Sequence, residues 1–325
     1  MALDANAVIE RRRLRRRVSF WRVSAIVLAA CVLLVAGLRF SGLVPGKHSP
    51  HVARVNLNGV ILGNDERQKM FEEIAKSSGP KAVLIEIDSP GGGVTASEEL
   101  FNDIRKLAEK KPVVAVVGSV AASGGYIAAL AADRIVSRET SLTGSIGVLA
   151  QYPDLSGLLA NIGVKMEAVK SAPLKAAPDM FKPTTPQERA ALESLIMDSF
   201  AWFKNLVSTR RNLTGADLDK VSDGRAFTGR QALELRLIDE IGGETQARDW
   251  LASARNVSKD LPVRDWRPEE RRFGSLGVAR EAVALFAEAA GFPAYAAKIR
   301  AQSATALDLH ALDGILAIWH PSIQQ

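Results

Sequence analysis

From Val52 onward the chain switches repeatedly between two periods of hydrophobicity, and this alternation restricts the folds open to it. The run "VARVNLNGVI" (52–61) alternates with period two and is rich in β-branched residues, as strands are. "DERQKMFEEIAK" (65–76) has helical spacing. "KAVLIEID" (81–88) and "PVVAVVG" (112–118) are short continuous apolar runs, the pattern of strands buried on both faces. Between them, "TASEELFNDIRKLAEK" (95–110) is an amphipathic helix. Doubly buried strands separated by helices require crossover units around a largely parallel sheet. The fold class is therefore α/β.

The pattern continues with less regularity. "RIVSR" (134–138), "IGVLA" (146–150) and "VKMEAVK" (164–170) read as strands, and "SGLLANIG" (156–163) as helix. Residues 186–211, opened by Pro186, predict one long helix, and 245–256 another. After about residue 258 the texture changes to the charged "RDWRPEERR" and the amphipathic "VAREAVALFAEAAGF". No chemistry stands out there, so 258–325 is read as a C-terminal extension.

The front end is of another kind. The net charge is +6, and seven arginines against Asp4 and Glu10 place +5 of it in residues 1–22. A nucleic-acid reader carries its basic patch on the folded body, so this distribution argues against that class. The apolar run 23–38 follows directly, slightly shorter than the roughly 20 residues that span a bilayer. Arg22 and Arg39 can snorkel, and Trp21 and Phe40 suit the interface. The reading is a cytoplasmic tail over 1–22, a transmembrane anchor over 23–40 and a Gly/Pro-containing linker over 41–51. Positive charge on the N-terminal side places everything beyond the anchor outside the cytoplasm. A cleaved signal peptide would need a small-x-small site followed by polar chain, and none is convincing. "LAAC" (28–31) resembles a lipoprotein cleavage box, but the seven residues after Cys31 are apolar and fit a continuing helix.

Three stretches of the body could carry chemistry. In "IDSPGGGVTAS" (87–97) a buried strand runs into Gly91, Gly92 and Gly93 and then a helix. Such glycines permit positive φ and offer N–H groups to an anionic oxygen. A phosphate loop is excluded by the missing Gly-Lys-Ser/Thr ending and the missing GxGxxG spacing. In "SVAASGGYIAALAAD" (119–133), Ser123 stands between pairs of tiny residues at a strand-to-helix turn. That geometry exposes a hydroxyl beside the N–H of the next residue, Gly124. In "VKSAPLKAAP" (169–178), Lys170 and Lys175 flank a proline-containing loop.

A serine nucleophile needs a base. The four histidines are His48, His51, His310 and His320, and none lies between 52 and 309. Lysine can serve when neutral, so a Ser–Lys dyad is open and a Ser–His–Asp triad is disfavoured. The single cysteine, Cys31, excludes internal disulfides and Cys-based zinc sites.

Taken in order, "DSPGGGVTAS", "VGSVAASGGYIAALAADRIV", "TGSIGV" and "DGRAFTGRQALELRLIDEIGG" resemble the signal peptide peptidases of the SppA type, in their short single-catalytic-domain form. The resemblance covers roughly 52–256 and implies a Ser/Lys peptidase domain over 52–257 on a ClpP/crotonase-like fold. It implies Ser123 as nucleophile, Lys175 as general base, Gly124 and Gly92 as the oxyanion hole, and Ser145 as the residue that positions the lysine. It implies peptide substrates, no metal or cofactor, and a homo-oligomeric ring of eight in which one subunit's serine meets a neighbour's lysine. The implied activity is endopeptidase cleavage of apolar peptides such as signal-peptide remnants, at a bacterial inner membrane.

The sequence departs from the family pattern in three places. Ala172 stands where a Gly is usual, Ala176 where an acidic or amide residue is usual, and Arg236 where a Gly is usual. Lys170 is the alternative base, but the step from Ser123 fits Lys175, and Lys170 ends a predicted strand. Two other classes remain as alternatives: a catalytically dead membrane scaffold of the same fold, and a crotonase-like acyl-CoA enzyme. The anchor opposes the second, because CoA is cytosolic.

Overall fold

A computed structural model describes residues 20–23, 26–27 and 49–268, together with the backbone of 316–318. The chain forms two compact units, Met1–Ser49 and Pro50–Gln325. In the first, residues 20–23 and 26–27 are helical, with Phe20, Trp21, Val23, Ile26 and Val27 exposed. Among the described residues no helix is long and apolar enough to cross a membrane. The anchor expected over 23–40 lies outside the described residues except at positions 23, 26 and 27. Most of the tail, the linker and the extension also lie outside them.

The second unit is a mixed α/β domain. Among the described residues nine strands form one sheet with central order β6-β5-β3-β2-β1-β8. Its centre is parallel: β1 (His51–Ile61) pairs β2 (Pro80–Gly93), β2 pairs β3 (Val113–Ala122), and β8 (Val263–Trp266) adds to β1. The first part of β3 pairs β4 (Arg134–Ser137) and its last three residues pair β5 (Leu142–Gly144). Beyond these, β7 (Glu240–Ile241) pairs β4, and β6 (Ala226–Thr228) pairs β5 antiparallel.

Period two explains why the central strands read as unbroken apolar runs. Val83, Ile85, Ile87, Val113, Ala115 and Val117 point into one core, and Ala82, Leu84, Val114 and Val116 into another. The first core is covered by α1 (Asp65–Lys76), α2 (Val94–Ala108), α3 (Gly124–Leu130) and the C-terminal half of α5 (Pro186–Arg211). The second lies under α8 (Glu244–Arg255), through Ala247 and Leu251. The short helices α4 (Ser156–Asn161), α6 (Gly215–Val221) and α7 (Gly229–Glu234) complete the set.

Two predicted strands are not where the sequence placed them. Residues 146–150 are irregular apart from a bridge at Leu149, and the strand lies earlier, at Leu142–Gly144, where β3 offers an edge to Val120, Ala121 and Ala122. Residues 164–170 alternate as a strand should, yet 161–169 are all exposed and have no strand neighbour among the described residues. A strand needs an adjacent edge to satisfy its backbone, and alternation alone does not supply one.

Candidate functional site

The sheet delivers Ser123 to a turn that ordinary residues avoid. β3 ends at Ala122, α3 starts at Gly124, and Ser123 between them has φ 55 and ψ −117. For a residue with a Cβ such a setting costs roughly 1–3 kcal/mol and persists only where the surroundings enforce it. Here they do. The Ser123 N–H donates to the Gly144 carbonyl at 2.8 Å, and the Ser123 carbonyl accepts from Tyr126 and Ile127, both at 2.9 Å. Ser123 is 1% exposed, and all seven residues of α3 are buried. Its Oγ has one long contact, 3.5 Å to the Gly147 carbonyl.

Small residues make the turn possible. A Cβ on Gly125 would lie 2.5 Å from the Ser89 carbonyl oxygen, and a Cβ on Gly92 would lie 1.9 Å from the Ile61 oxygen. Ser89 ties this junction together: its Oγ donates to the Gly59 carbonyl at 2.6 Å and accepts the Gly91 N–H at 3.1 Å. That N–H is thereby committed. Gly124 follows Ser123 at the first turn of α3, where N–H groups have no partner within the helix.

The far end of α3 is clamped by two arginines that local sequence patterns do not reveal. Arg210, from α5, donates to the carbonyls of Leu130 at 2.7 Å and Ala132 at 2.8 Å. Arg105, from α2, donates to Ala131 at 2.8 Å and lies 3.6 Å from Asp133. Asp133 in turn accepts the Val113 N–H at 3.0 Å. The Tyr126 hydroxyl donates to the Leu237 carbonyl at 2.8 Å, and complete burial pushes its phenol well above the ordinary range. The side-chain supports of the short helix thus come from distant segments.

Ser145 follows β5 directly, and its own φ of 48 also lies in the left-handed region. Its N–H donates to the Arg225 carbonyl at 2.9 Å and its hydroxyl to the Gly224 carbonyl at 3.1 Å. Ala122 pairs with Gly144, so Ser123 and Ser145 each follow directly on the paired ends of two neighbouring strands.

The lysines are elsewhere. Lys175 is exposed, on a turn in which its N–H donates to the Ala172 carbonyl at 3.1 Å, and its side chain has no hydrogen bond or ion pair among the described residues. Lys170 lies 3.5 Å from Asp179, which Lys182 also approaches at 3.5 Å. Desolvation pushes the Asp179 carboxyl up, but the Phe181 N–H, Lys182 and Lys170 outweigh it and hold the group below the usual carboxylate range. The Thr185 N–H, 2.9 Å from Glu188, holds that carboxyl low as well. These groups border a cleft of about 740 Å³ lined by Met166, Lys170, Pro173, Leu174 and Phe181, with Ser123 absent from its walls. The structure sets Ser123 and Ser145 just past the paired ends of β3 and β5, with Gly124 next to Ser123 and Gly92 in β2, the strand beside β3, and among the described residues it gives neither lysine a contact with Ser123.

His51 is the one histidine among the described residues. It accepts the Trp266 indole N–H at 2.9 Å and is buried at the start of β1. Ile61, beside Gly92, is the other end of that strand, about 30 Å away at roughly 3.3 Å per residue, so His51 cannot serve Ser123. No group of His, Cys, Asp and Glu suited to a metal ion occurs among the described residues.

Two of the three sequence departures sit at strained backbone. Ala176 has φ 55 and Arg236 has φ 60. Glycine, and to a lesser degree Asn and Asp, tolerate that region, so the residue types usual at these positions have a backbone reason.

A family model described as peptidase family S49 matches residues 105–258. The chain is 36% identical over 227 residues to a putative protease of Synechocystis sp., covering 68% of this chain and 82% of that one. It is 34% identical over 189 residues to a putative protease of Methanocaldococcus jannaschii, covering 58% and 61%. It is 30% identical over 250 residues to the putative signal peptide peptidase SppA of Enterococcus faecium, covering 72% of each.

Proposed function

Because the chain belongs to peptidase family S49, we propose that it is a membrane-anchored serine endopeptidase that hydrolyses apolar peptides, signal-peptide remnants among them, through a Ser123–Lys175 dyad. Neutral Lys175 takes the Ser123 Oγ proton as Oγ attacks the peptide carbonyl. The Gly124 and Gly92 N–H groups stabilise the oxyanion. The lysine returns the proton to the leaving amine, and water then releases the acyl-enzyme. Ser145 positions the lysine: its hydroxyl proton goes to Gly224, and its oxygen still has room to accept from an ammonium. The domain over 52–257 is of the ClpP/crotonase type.

The observation that carries this reading is the enforced turn at Ser123. A buried serine at φ 55, two residues before a glycine that admits no Cβ, is strained structure retained at a site of chemistry. A fluorophosphonate probe should label the protein at Ser123, and unchanged labelling of Ser123→Ala would discard the assignment.

Lys175 acts from a neighbouring subunit in a homo-oligomeric ring, of eight by family resemblance. Two features support this: its side chain has no partner among the described residues, and large apolar side chains are exposed in its own segment and in the helix that follows. Leu158, Ile162, Val164, Met166, Leu195 and Met197 are 43–63% exposed. Large apolar side chains left exposed in number support an interaction surface. The N-terminal tail lies in the cytoplasm, the anchor crosses a bacterial inner membrane, and the catalytic domain faces away from the cytoplasm.

A further inference from the structure

The hydroxyl proposed to position the lysine is itself held by a segment 79 residues further along the chain. The turn 223–225 leads from the end of α6 into β6. Two of its carbonyls take both protons that Ser145 can give: the Ser145 N–H goes to Arg225 at 2.9 Å and the hydroxyl to Gly224 at 3.1 Å. Asp223 shapes the turn from within. Its Oδ1 accepts the Arg225 N–H at 3.2 Å, and its Oδ2 accepts the Arg225 Nε–H at 2.6 Å. Gly224 between them has φ 90, which a residue with a Cβ holds only under strain. The turn is pinned on both sides. Ser222 donates to the Leu218 carbonyl and Val221 is buried, while Ala226 pairs with Gly144, the residue before Ser145. It also packs on the loop beyond Ser145: a Cβ on Gly147 would lie 3.5 Å from the Gly224 Cα, and the Gly147 carbonyl is the one that Ser123 Oγ approaches.

The direction of that hydroxyl decides what it does to a base. A neutral amine has two N–H groups and one lone pair. For Lys175 to take the Ser123 proton, the lone pair must face Ser123 Oγ, so both N–H groups need acceptors elsewhere. A serine hydroxyl has one proton and two lone pairs and can play either part. Donating, Ser145 would occupy the lone pair that Ser123 requires. Accepting, it steers the amine and then holds the ammonium formed by the proton transfer, with no rotation in between. The Gly224 carbonyl, which can only accept, settles the choice by taking the hydroxyl proton. We propose that the turn Asp223–Gly224–Arg225 is a positioning element of the active site, which fixes Ser145 as an acceptor and so aims the lone pair of the general base at Ser123. Asp223 carries this role through the shape it gives the turn. Its ion pair with Arg225 joins side chains that are 37% and 67% exposed, so the charge itself contributes little. The inference rests on the reading that Lys175 is the base and Ser145 its partner.

The test is a double-mutant cycle on the assembled full chain, read as kcat and KM for an apolar fluorogenic peptide. Asp223→Ala removes the acceptor of the Arg225 N–H and should lower kcat about tenfold with KM unchanged, as loss of alignment at a reacting group does. Ser145→Ala should lower kcat at least as far. Asp223→Ala added to Ser145→Ala should cost nothing more, because no hydroxyl is left to direct. Asp223→Asn keeps an Oδ1 for the Arg225 N–H and should retain most of the wild-type kcat. Gly224→Ala, whose Cβ meets nothing within 4 Å but whose φ of 90 is strained, should turn the carbonyl and reproduce the loss, again only where Ser145 is present. Wild-type kcat in both Asp223→Ala and Gly224→Ala overturns the proposal. So does a loss that multiplies with that of Ser145→Ala, because the turn would then support the fold at large, and so does a raised KM at constant kcat, because the turn would then act on the substrate. The two levels stay separable. Ser145→Ala at wild-type kcat removes the lysine-positioning role beneath the inference, whereas a slow Ser145→Ala enzyme beside unimpaired turn variants removes the turn alone.

Discussion

The turn that carries Ser123 and the loop that carries Lys175 belong to one domain but are held by different physics. Around Ser123, distant partners add to the first turn of α3. Gly144 takes its N–H, Ser89 fixes the glycine run, and Arg105 and Arg210 hold the far end of α3. The segment 155–185 is the reverse: mostly short-range turns, one backbone bond from Leu155 to Met180, ion pairs and apolar side chains facing solvent. A residue in the first region is placed by the core. A residue in the second is placed only when something covers it. This difference is why the serine turn is complete in one chain while the proposed dyad calls for a second.

The largest effects should come from the proposed reacting groups. Ser123→Ala and Lys175→Ala should each lower peptide hydrolysis by about 10³-fold or more. Lys175→Ala should do so with an unchanged melting temperature, because the side chain is exposed. Lys170→Ala should keep most of the activity and loosen its loop, since Lys170 pairs with Asp179. An active Lys175→Ala enzyme alongside an inactive Lys170→Ala enzyme would transfer the base to Lys170.

Glycine substitutions compare the regions directly. Gly92→Ala forces a Cβ to 1.9 Å from the Ile61 oxygen and should destabilise by more than about 3 kcal/mol, seen as a fall in denaturation midpoint. Gly163→Ala, in the exposed segment, meets nothing within 4 Å, so only its φ of 74 is penalised, at about 1 kcal/mol. Equal losses would contradict the distinction. Arg210→Ala removes two hydrogen bonds from a charged donor to buried carbonyls and should cost about 3 kcal/mol, whereas Lys182→Ala should cost under about 1 kcal/mol.

Much of this architecture is legible in the sequence. The apolar runs at 81–88 and 112–118 give the central strands because burial on both faces leaves no polar position. The small residues around Ser123 give the turn because only they fit against Ser89. What escapes is everything fixed by distant partners. The carbonyl clamp pairs Arg210 with Leu130, 80 residues away. β6 and β7 are two or three residues long, too short to show a period. The alternation of 164–170 predicts a strand, but no strand among the described residues pairs with it. The extension supplies β8 and β9 (Leu316–Ile318) without any local signal that they join the sheet.

Smaller effects should appear on acidification. Asp179 and Glu188 are held below the ordinary carboxylate range, so their contribution to the lysine loop is present above that range and is lost as pH falls through their lowered values. Proteolytic nicking within 161–185 should therefore rise at acid pH before the sheet unfolds, and simultaneous loss of both would contradict the separation. The smallest effect should be that of Ala176→Asn, which relieves part of the strain at φ 55 and should stabilise by about 0.5 kcal/mol in a denaturant titration.

The central claim is that one chain completes the serine turn and another supplies the lysine. Co-expression of Ser123→Ala with Lys175→Ala, each inactive alone, tests it most directly. Random mixing in a ring gives each site a serine from one subunit and a lysine from the next, so roughly a quarter of the sites should be intact and activity should return to about that fraction. If the dyad forms within a chain, every site lacks one partner, and silence in assemblies shown to contain both chains would contradict the account.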